Sequence, residues 1–119
     1  MAAPNIVNVS TITGKTAVLF VTTSAQDIVT NAAASGKVLK INSLTVANVN
    51  GTAAATITAS IFRNSSEYKL AHTIFVPANS TLVIISKDSS IYLEEGDSIR
   101  LTASSNSYLH AICGYEMIS

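Results

Sequence analysis

Residues 53–63, AAATITASIFR, alternate apolar and polar side chains more regularly than any other stretch of the chain. The two alternating sets are Ala55, Ile57, Ala59 and Ile61 on one face and Thr56, Thr58 and Ser60 on the other. A two-residue period of this kind predicts a β-strand with one face against a hydrophobic core.

The period recurs along the chain between turn signals rich in Asn, Gly, Ser and Pro, which are spaced about ten residues apart. No linker or internal repeat divides the 119 residues. We predict about eight strands in a single all-β domain over residues 1–119, an antiparallel β-sandwich that is jelly-roll-like.

Residues 37–48 form a long strand whose apolar phase changes half-way. Leu39 and Ile41 share one face, whereas Leu44 and Val46 share the other. A β-bulge at Asn42 and Ser43 would turn both pairs toward the same core. Burial of the strand on both faces is the alternative.

Four further local patterns give specific expectations. Asn50-Gly51 indicates a type I′ hairpin, and Gly14-Lys15 indicates a break after the first strand. Residues 16–23, TAVLFVTT, are apolar on both faces, which predicts a strand covered twice. Residues 24–27 read as a capping box that could open a helix, although the following Ile28-Val29-Thr30 favours a strand.

Residues 67–76 alternate in the same way as residues 53–63. The set predicted to share one face is Tyr68, Leu70, His72, Ile74 and Val76.

The charge balance excludes several classes of partner. Seven basic residues offset seven acidic ones, and only 12% of residues are charged. Proteins that bind nucleic acid need a basic face, and membrane-surface binding needs a polybasic patch; neither is present. Zero net charge combined with 48% hydrophobic residues favours association with other protein surfaces.

The single cysteine, Cys113, excludes an internal disulfide. It lies in an apolar strand, where a buried and unreactive thiol is expected. The sequence has neither a signal-peptide pattern nor an apolar run long enough to cross a membrane. We expect synthesis in the cytoplasm without secretion.

Residues that could carry chemistry are few and isolated. His72 and His110 have no Cys, His or carboxylate at a metal-ligand spacing, and no nucleophile elbow accompanies the abundant serines. Asp27, Asp88 and Asp97 lie in or beside turns, where Asp commonly binds the local backbone. We predict no catalytic, cofactor or metal site and no enzymatic activity.

The densest acidic cluster is Glu94-Glu95-Gly96-Asp97. It lacks the alternating oxygen ligands of a calcium loop. We interpret it as a tight turn in which Gly96 takes a positive φ and Asp97 holds the backbone.

Three tyrosines, Tyr68, Tyr92 and Tyr108, could serve a lectin-like site. Tyr92 is out of phase with Ile91 and Leu93 and is therefore expected to be exposed. Structural or interface tyrosines are the simpler interpretation, and a carbohydrate-binding module remains the alternative from another class.

Five segments carry a resemblance to a known group of proteins. They are PNIVNVSTITGKTAV (residues 4–18), SGKVLKINSLTVANVNGT (35–52), VPANSTLVII (76–85), IYLEEGDSIRLTAS (91–104) and GYEMIS (114–119). In this order and spacing the chain resembles small virion structural proteins of tailed phages of marine cyanobacteria and similar hosts. The group supplies no catalytic residues to carry over.

The resemblance implies a non-enzymatic virion component, most concretely a capsid decoration protein on the head surface. A neck, tail or fibre-associated protein is the alternative within this class. Expected partners are further copies of the chain, a trimer being one arrangement, and other virion proteins such as the major capsid protein. The uncharged residues 1–13 would form an edge strand or an arm that adds a strand to an adjacent subunit.

Overall fold

The computed structural model describes residues 11–119, which form nine β-strands and one short 3-10 helix. The strands are β1 (Ile12–Val21), β2 (Gln26–Thr30), β3 (Val38–Asn48), β4 (Ala55–Arg63), β5 (Ser66–Val76), β6 (Thr81–Ile85), β7 (Ile91–Leu93), β8 (Ser98–Ala103) and β9 (Leu109–Ile118). The 3-10 turn, Lys87–Ser89, separates β6 from β7.

The strands pair in a nested order, from the chain ends toward the middle. β1 pairs with β9, β2 with β8, β3 with β6 and β7, and β4 with β5, all antiparallel. β6 and β7 lie along successive parts of β3, so together they replace one interrupted strand. The chain is thus one long hairpin rolled around itself, which is the jelly-roll arrangement.

Rolling the hairpin produces two sheets. The five-stranded sheet has the order β1-β9-β3-β6 with β7 also on β3, and the four-stranded sheet has the order β2-β8-β4-β5. The core between them is almost entirely aliphatic, and its largest fully buried side chains include Ile41, Leu44, Ile57, Leu93, Ile99, Leu101 and Leu109. The predicted all-β sandwich is confirmed, with nine strands in place of about eight.

The phase change in β3 is a β-bulge, as predicted. The pairing of β3 with β9 shifts register between Ile41 and Ser43. Leu39 and Ile41 before the shift, and Leu44 and Val46 after it, are all buried in the same core. One inserted residue is sufficient because it reverses the side-chain alternation of the rest of the strand.

The predicted hairpin at Asn50-Gly51 is wrong. The strands that flank it, β3 and β4, belong to different sheets. Instead, the Oδ1 atom of Asn50 accepts hydrogen bonds from the backbone N–H groups of Thr52 and Ala53, which turns the chain across the sandwich. The two-residue hairpin lies at Asn64 and Ser65, both at positive φ, as a type I′ turn requires.

Asn48 fixes this crossing from inside. Its Nδ2 group donates to the carbonyl oxygens of Ala53 and Val76, at 3.0 and 2.9 Å, and its Oδ1 accepts from the N–H of Asn50. The amide is buried, its bond to Val76 is buried as well, and its bonds to Ala53 and Asn50 are partly buried, so its loss would remove a partner from three backbone groups with limited access to water. One side chain therefore connects the end of β3 to the start of β4 and the end of β5.

β5 departs from the predicted alternation. It is an edge strand, and its pairing with β4 shifts register on both sides of Ala59. Thr73 lies at positive φ within the irregular part. Of the five residues predicted to share one buried face, only Val76 is fully buried, while Tyr68, His72 and Ile74 are exposed.

The N-terminal expectations have mixed outcomes. β1 continues through Gly14 and Lys15 without interruption, so the predicted break is wrong. Residues 26–30 form β2, so the strand predicted from Ile28-Val29-Thr30 is present and no helix begins at the capping box. Ile12 and Thr13 pair with β9 at the edge of the five-stranded sheet, while residues 1–10 of the predicted arm lie outside the described residues.

We predict that Asn48→Ala lowers the free energy of unfolding by about 2–4 kcal/mol, because it removes the side-chain partner of one buried carbonyl group and of two partly buried backbone groups. Asn106→Ala is the matched control. The amide of Asn106 is exposed and accepts one hydrogen bond, from the N–H of Thr23, so its loss should cost about 1 kcal/mol or less. Chemical denaturation measures both, and equal losses would contradict the role assigned to Asn48.

Candidate interaction surface

The outer face of the five-stranded sheet presents a row of aliphatic side chains to solvent. In the ladder, Val18 on β1 is opposite Ile112 on β9, Ile112 is opposite Thr45 on β3, and Thr45 is opposite Val83 on β6. Val18, Val83 and Ile112 are 72%, 56% and 48% exposed. Because the row runs across four strands in register, it is a continuous surface and not a set of isolated residues.

A second outward row lies two residues further along the strands. Phe20 is opposite His110, and His110 is opposite Ala47. The rings of Phe20 and His110 make an edge-to-face contact with centroids 4.9 Å apart, and Phe20 is 71% exposed. The members of the two rows on β1 and β9, which are Val18, Phe20, His110 and Ile112, line a shallow apolar depression on the sheet. We call the side chains of both rows, Val18, Phe20, Thr45, Ala47, Val83, His110 and Ile112, the outer apolar patch.

This result corrects the expectation that residues 16–23 are covered on both faces. The inward side chain Val21 is buried, but the outward side chains Val18 and Phe20 face solvent. The pattern of a doubly covered strand is nevertheless present in the sequence. A second cover supplied by another protein surface would account for it.

Charge enters the outer face only beyond the patch. Lys40 on β3 is opposite Glu116 on β9, and Tyr92 on β7 is opposite Lys40. The intervening row, Thr16, Gly114 and Ser43, is neutral. A Cβ atom on Gly114 would approach the Oγ atom of Ser43 to 3.0 Å. Glycine at this position therefore leaves room for Ser43, and no side chain protrudes from the middle of the row.

The outer face of the four-stranded sheet carries charged side chains in ion pairs, and Phe75 on the edge strand β5 is exposed there as well. Arg100 pairs with Asp27 at 3.0 Å and lies 3.6 Å from the centre of the Phe62 ring. On the neighbouring strands, the Ser60 hydroxyl donates to Glu67, which holds the pKa of that carboxyl below its usual range, and Lys69 adds to the effect. The two outer faces thus differ in kind, and the outer apolar patch is the candidate functional surface.

The acidic turn is structural, as predicted, but it carries an additional contact. Gly96 has a φ of 90°, and the carboxylate of Asp97 accepts from the N–H of Glu94 at 2.8 Å. Arg63 donates to both oxygens of Asp97, which is buried, and its Nη2 also lies 3.0 Å from Glu94. The hydrogen bond to Asp97 raises the pKa of Arg63, so this guanidinium stays charged.

The other residues considered for chemistry do not come together. Among residues 11–119, no three His, Cys, Asp or Glu side chains are grouped closely enough to share a metal ion. His72 is exposed on the edge strand β5, and His110 contacts Phe20. Asp27 lies in β2 and not in a turn, whereas Asp88 lies in the 3-10 turn.

The three tyrosines lie on separate parts of the fold. Tyr68 is on β5 of the four-stranded sheet, whereas Tyr92 is on β7 and is 42% exposed, as expected. Tyr108 precedes β9 at the end where Asn48 pairs with Leu109. Tyr92 is opposite Lys40 of β3, and Tyr108 lies next to the residue that is opposite Asn48 of β3. Eight residues separate these two positions of β3, so Tyr92 and Tyr108 are about 25 Å apart along the sheet. The tyrosines therefore do not form one sugar platform.

The Cys113 thiol lies on the inward face of β9 and is fully buried. Desolvation raises its pKa to about 11, from an ordinary value of 9.0. The expectation of a buried cysteine is confirmed. No helix within residues 11–119 has the length and apolar character needed to cross a membrane.

Comparison with known proteins provides information about the fold and not about the function. No protein-family model and no curated protein matches the chain. It is similar to a solved chain from Bacillus endospore appendages, a family of disulfide-linked pili, with a TM-score of 0.53 and 12% identity over 92% of this chain and 88% of that one. A weaker likeness, TM-score 0.43 and 16% identity over 87% and 85%, is to the nucleoplasmin-like N-terminal domain of Drosophila FKBP39. At such low identity the first likeness supports the β-sandwich and nothing finer.

We predict that Cys113 resists alkylation by iodoacetamide at pH 8, where about one thiol in a thousand is ionised at a pKa of about 11. The control places an outward cysteine next to it, Ile112→Cys combined with Cys113→Ala. The control should react at least about 100-fold faster. Equal rates would contradict the burial of Cys113.

The same shift has a consequence for stability. The pKa of Cys113 is higher in the folded protein than its ordinary value, so the unfolded chain loses this proton at lower pH. The contribution of the neutral thiol to the free energy of unfolding is therefore complete below about pH 9 and is lost as the pH rises toward about 11. Cys113→Ala should remove this part of the alkaline loss of stability.

Proposed function

We propose that this chain is a non-enzymatic structural subunit of a phage particle, most concretely a decoration protein that reinforces the head surface. The observation that carries the proposal is the outer apolar patch. An exposed aliphatic and aromatic surface that spans four strands is a feature of proteins that bind other proteins. An unreactive domain with such a surface is suited to joining subunits together.

The fold and composition support this proposal. Jelly rolls recur in viral capsid and lectin domains, although fold alone does not fix function. The near absence of charge on the patch means that its burial desolvates few ions, which lowers the cost of association. Among residues 11–119 there is also no metal-binding cluster that would favour an enzyme.

The similarity to a pilus subunit is consistent with a domain that assembles in many copies, but the chemistry of assembly must differ. Those pili are disulfide-linked. Here the only cysteine of the chain is Cys113, and it is buried in the core. Contacts between copies would therefore be non-covalent, and surface complementarity would have to supply the affinity.

In a particle, reinforcement would work by mass action. A subunit that binds only the assembled shell stabilises the shell in proportion to its affinity and concentration. The expected partners are further copies of the chain and the major capsid protein, with the virion as its location. A position at the neck, tail or fibre uses the same contacts but a different symmetry.

Copy number in purified particles tests the proposal. Quantitative mass spectrometry against the major capsid protein should find on the order of hundreds of copies of a head decoration protein, because it follows the symmetry of the shell. About six or twelve copies would place the protein at the neck or tail instead. Absence from washed particles would contradict a virion role altogether.

A matched pair of variants connects that measurement to the patch. Phe20→Glu changes the outer apolar patch, whereas Phe75→Glu changes an equally exposed phenylalanine, 71% in both cases, on β5 of the other sheet. We expect Phe20→Glu to reduce the copies per particle by about tenfold or more and Phe75→Glu to leave them nearly unchanged. Equal incorporation of both variants would show that the patch does not bind the particle or the subunits on it.

A further inference from the structure

We infer that the surface covering the outer apolar patch is the same face of a second copy, related by a two-fold axis. This deepens the proposed function, on which it rests, by naming the partner of the patch. A two-fold interface brings one surface against itself, so the surface must be complementary to its own rotated image. The order of strands in the five-stranded sheet makes this condition specific and testable.

The required axis lies in the plane of the interface, parallel to the strands and between β9 and β3. These are the two central strands of the order β1-β9-β3-β6. Rotation about this axis places β9 over β3 of the second copy and β1 over β6 of the second copy. Each strand therefore faces the strand on the opposite side of the axis in the second copy, and each row of the ladder faces the same row.

The aliphatic row satisfies the two-fold condition. Val18, Ile112, Thr45 and Val83 occupy one row of the ladder, in that order across the sheet. The rotation places Val18 over Val83 of the second copy and Ile112 over Thr45 of the second copy. Every member of the row meets an apolar or β-branched side chain, so the row buries itself without desolvating a charge.

The charged row satisfies the condition as well. Lys40 and Glu116 are directly opposite each other on β3 and β9. The same rotation places Lys40 over Glu116 of the second copy, and does so twice because the interface is symmetric. Had the two positions carried like charges, a second copy would be repelled at both places. The arrangement of charge thus selects for self-association.

The outer face of the five-stranded sheet has enough area, and a suitable packing geometry, for a stable two-fold interface. Four strands spaced about 4.8 Å apart and ten residues rising about 3.3 Å each give roughly 630 Å² of flat face. A stable interface of standard size uses about 800 Å² of accessible surface per partner, and the accessible surface of a face with protruding side chains exceeds its flat area. An aligned packing angle of about 30° displaces rows about 7 Å from the centre by roughly 4 Å, which side chains can span.

A charge-reversal cycle on the isolated full-length protein tests this inference. Lys40→Glu would place carboxylates over one another at both symmetric positions, and we expect the dissociation constant measured by sedimentation to rise about tenfold. Adding Glu116→Lys restores opposite charges and should recover most of the lost affinity. Because Lys40 and Glu116 are also opposite each other within one copy, the diagnostic sample is a mixture of the single variants Lys40→Glu and Glu116→Lys. Each variant keeps a like-charge pair within its own sheet, so association recovered in the mixture can arise only from opposite charges across the interface.

The phenylalanine pair serves as the second arm of the experiment. Phe20→Glu should raise the dissociation constant about tenfold or more, while Phe75→Glu should leave it within about twofold. Circular dichroism and thermal unfolding at low concentration verify that each variant folds, which is expected because both side chains are exposed. Loss of association in both variants would overturn the assignment to this face.

Three further outcomes would also overturn the inference. The first is a wild-type protein that remains monomeric at about 100 μM, where an interface of this size should associate. The second is a double reversal that stays as weak as Lys40→Glu alone. The third is loss of association on deleting residues 2–10, which would assign the contact to the N-terminal segment. Each leaves the particle measurement unaffected, so failure here is distinguishable from failure of the virion proposal.

Discussion

The inserted residue in β3 is the constraint on which the rest of the sandwich depends. β3 pairs with β9 on one side and with β6 and β7 on the other, so its side-chain phase decides which residues of the sheet face inward. Without the shift between Ile41 and Ser43, either Leu39 and Ile41 or Leu44 and Val46 would point to solvent. The bulge gives the core all four residues, and it sets the outward direction of Thr45 and Ala47 at the same time.

The same constraint explains why the outer apolar patch is continuous. Beyond the bulge, β9 and β6 align with β3 so that Ile112, Thr45 and Val83 share one outward row. Their exposure costs solvation free energy that a free monomer does not recover. The charged outer face of the four-stranded sheet shows that the sequence can supply Arg, Asp and Glu where a face meets water. The difference between the faces is therefore informative about contact with other proteins.

Local features of the sequence were sufficient for part of this description. Period-two alternation predicted the sandwich, the slip at Asn42 predicted the bulge, and the Glu94–Asp97 turn had the expected positive φ at Gly96. These features depend on neighbouring residues alone. Asn50-Gly51 failed because a turn signal does not specify whether the chain continues in the same sheet, and here the amide of Asn48 directs it across.

Contacts between distant residues were beyond such reasoning. The pairing of Arg63 with Asp97 joins positions 34 apart, and nothing near either residue indicates the other. The exposure of Val18 and Phe20 was missed for a related reason. An apolar face looks the same in a sequence whether its cover comes from the same chain or from another, so only the folded domain reveals that Val18 and Phe20 are exposed and that no other part of residues 11–119 covers them.

The most direct test of the central claim is a high-resolution cryo-EM map of the protein in its assembled state. The account predicts that the outer face of the five-stranded sheet, around Phe20 and Ile112, is buried against protein while the charged face around Arg100 remains in solvent. A map in which the apolar face meets water and the four-stranded sheet makes the contacts would contradict it.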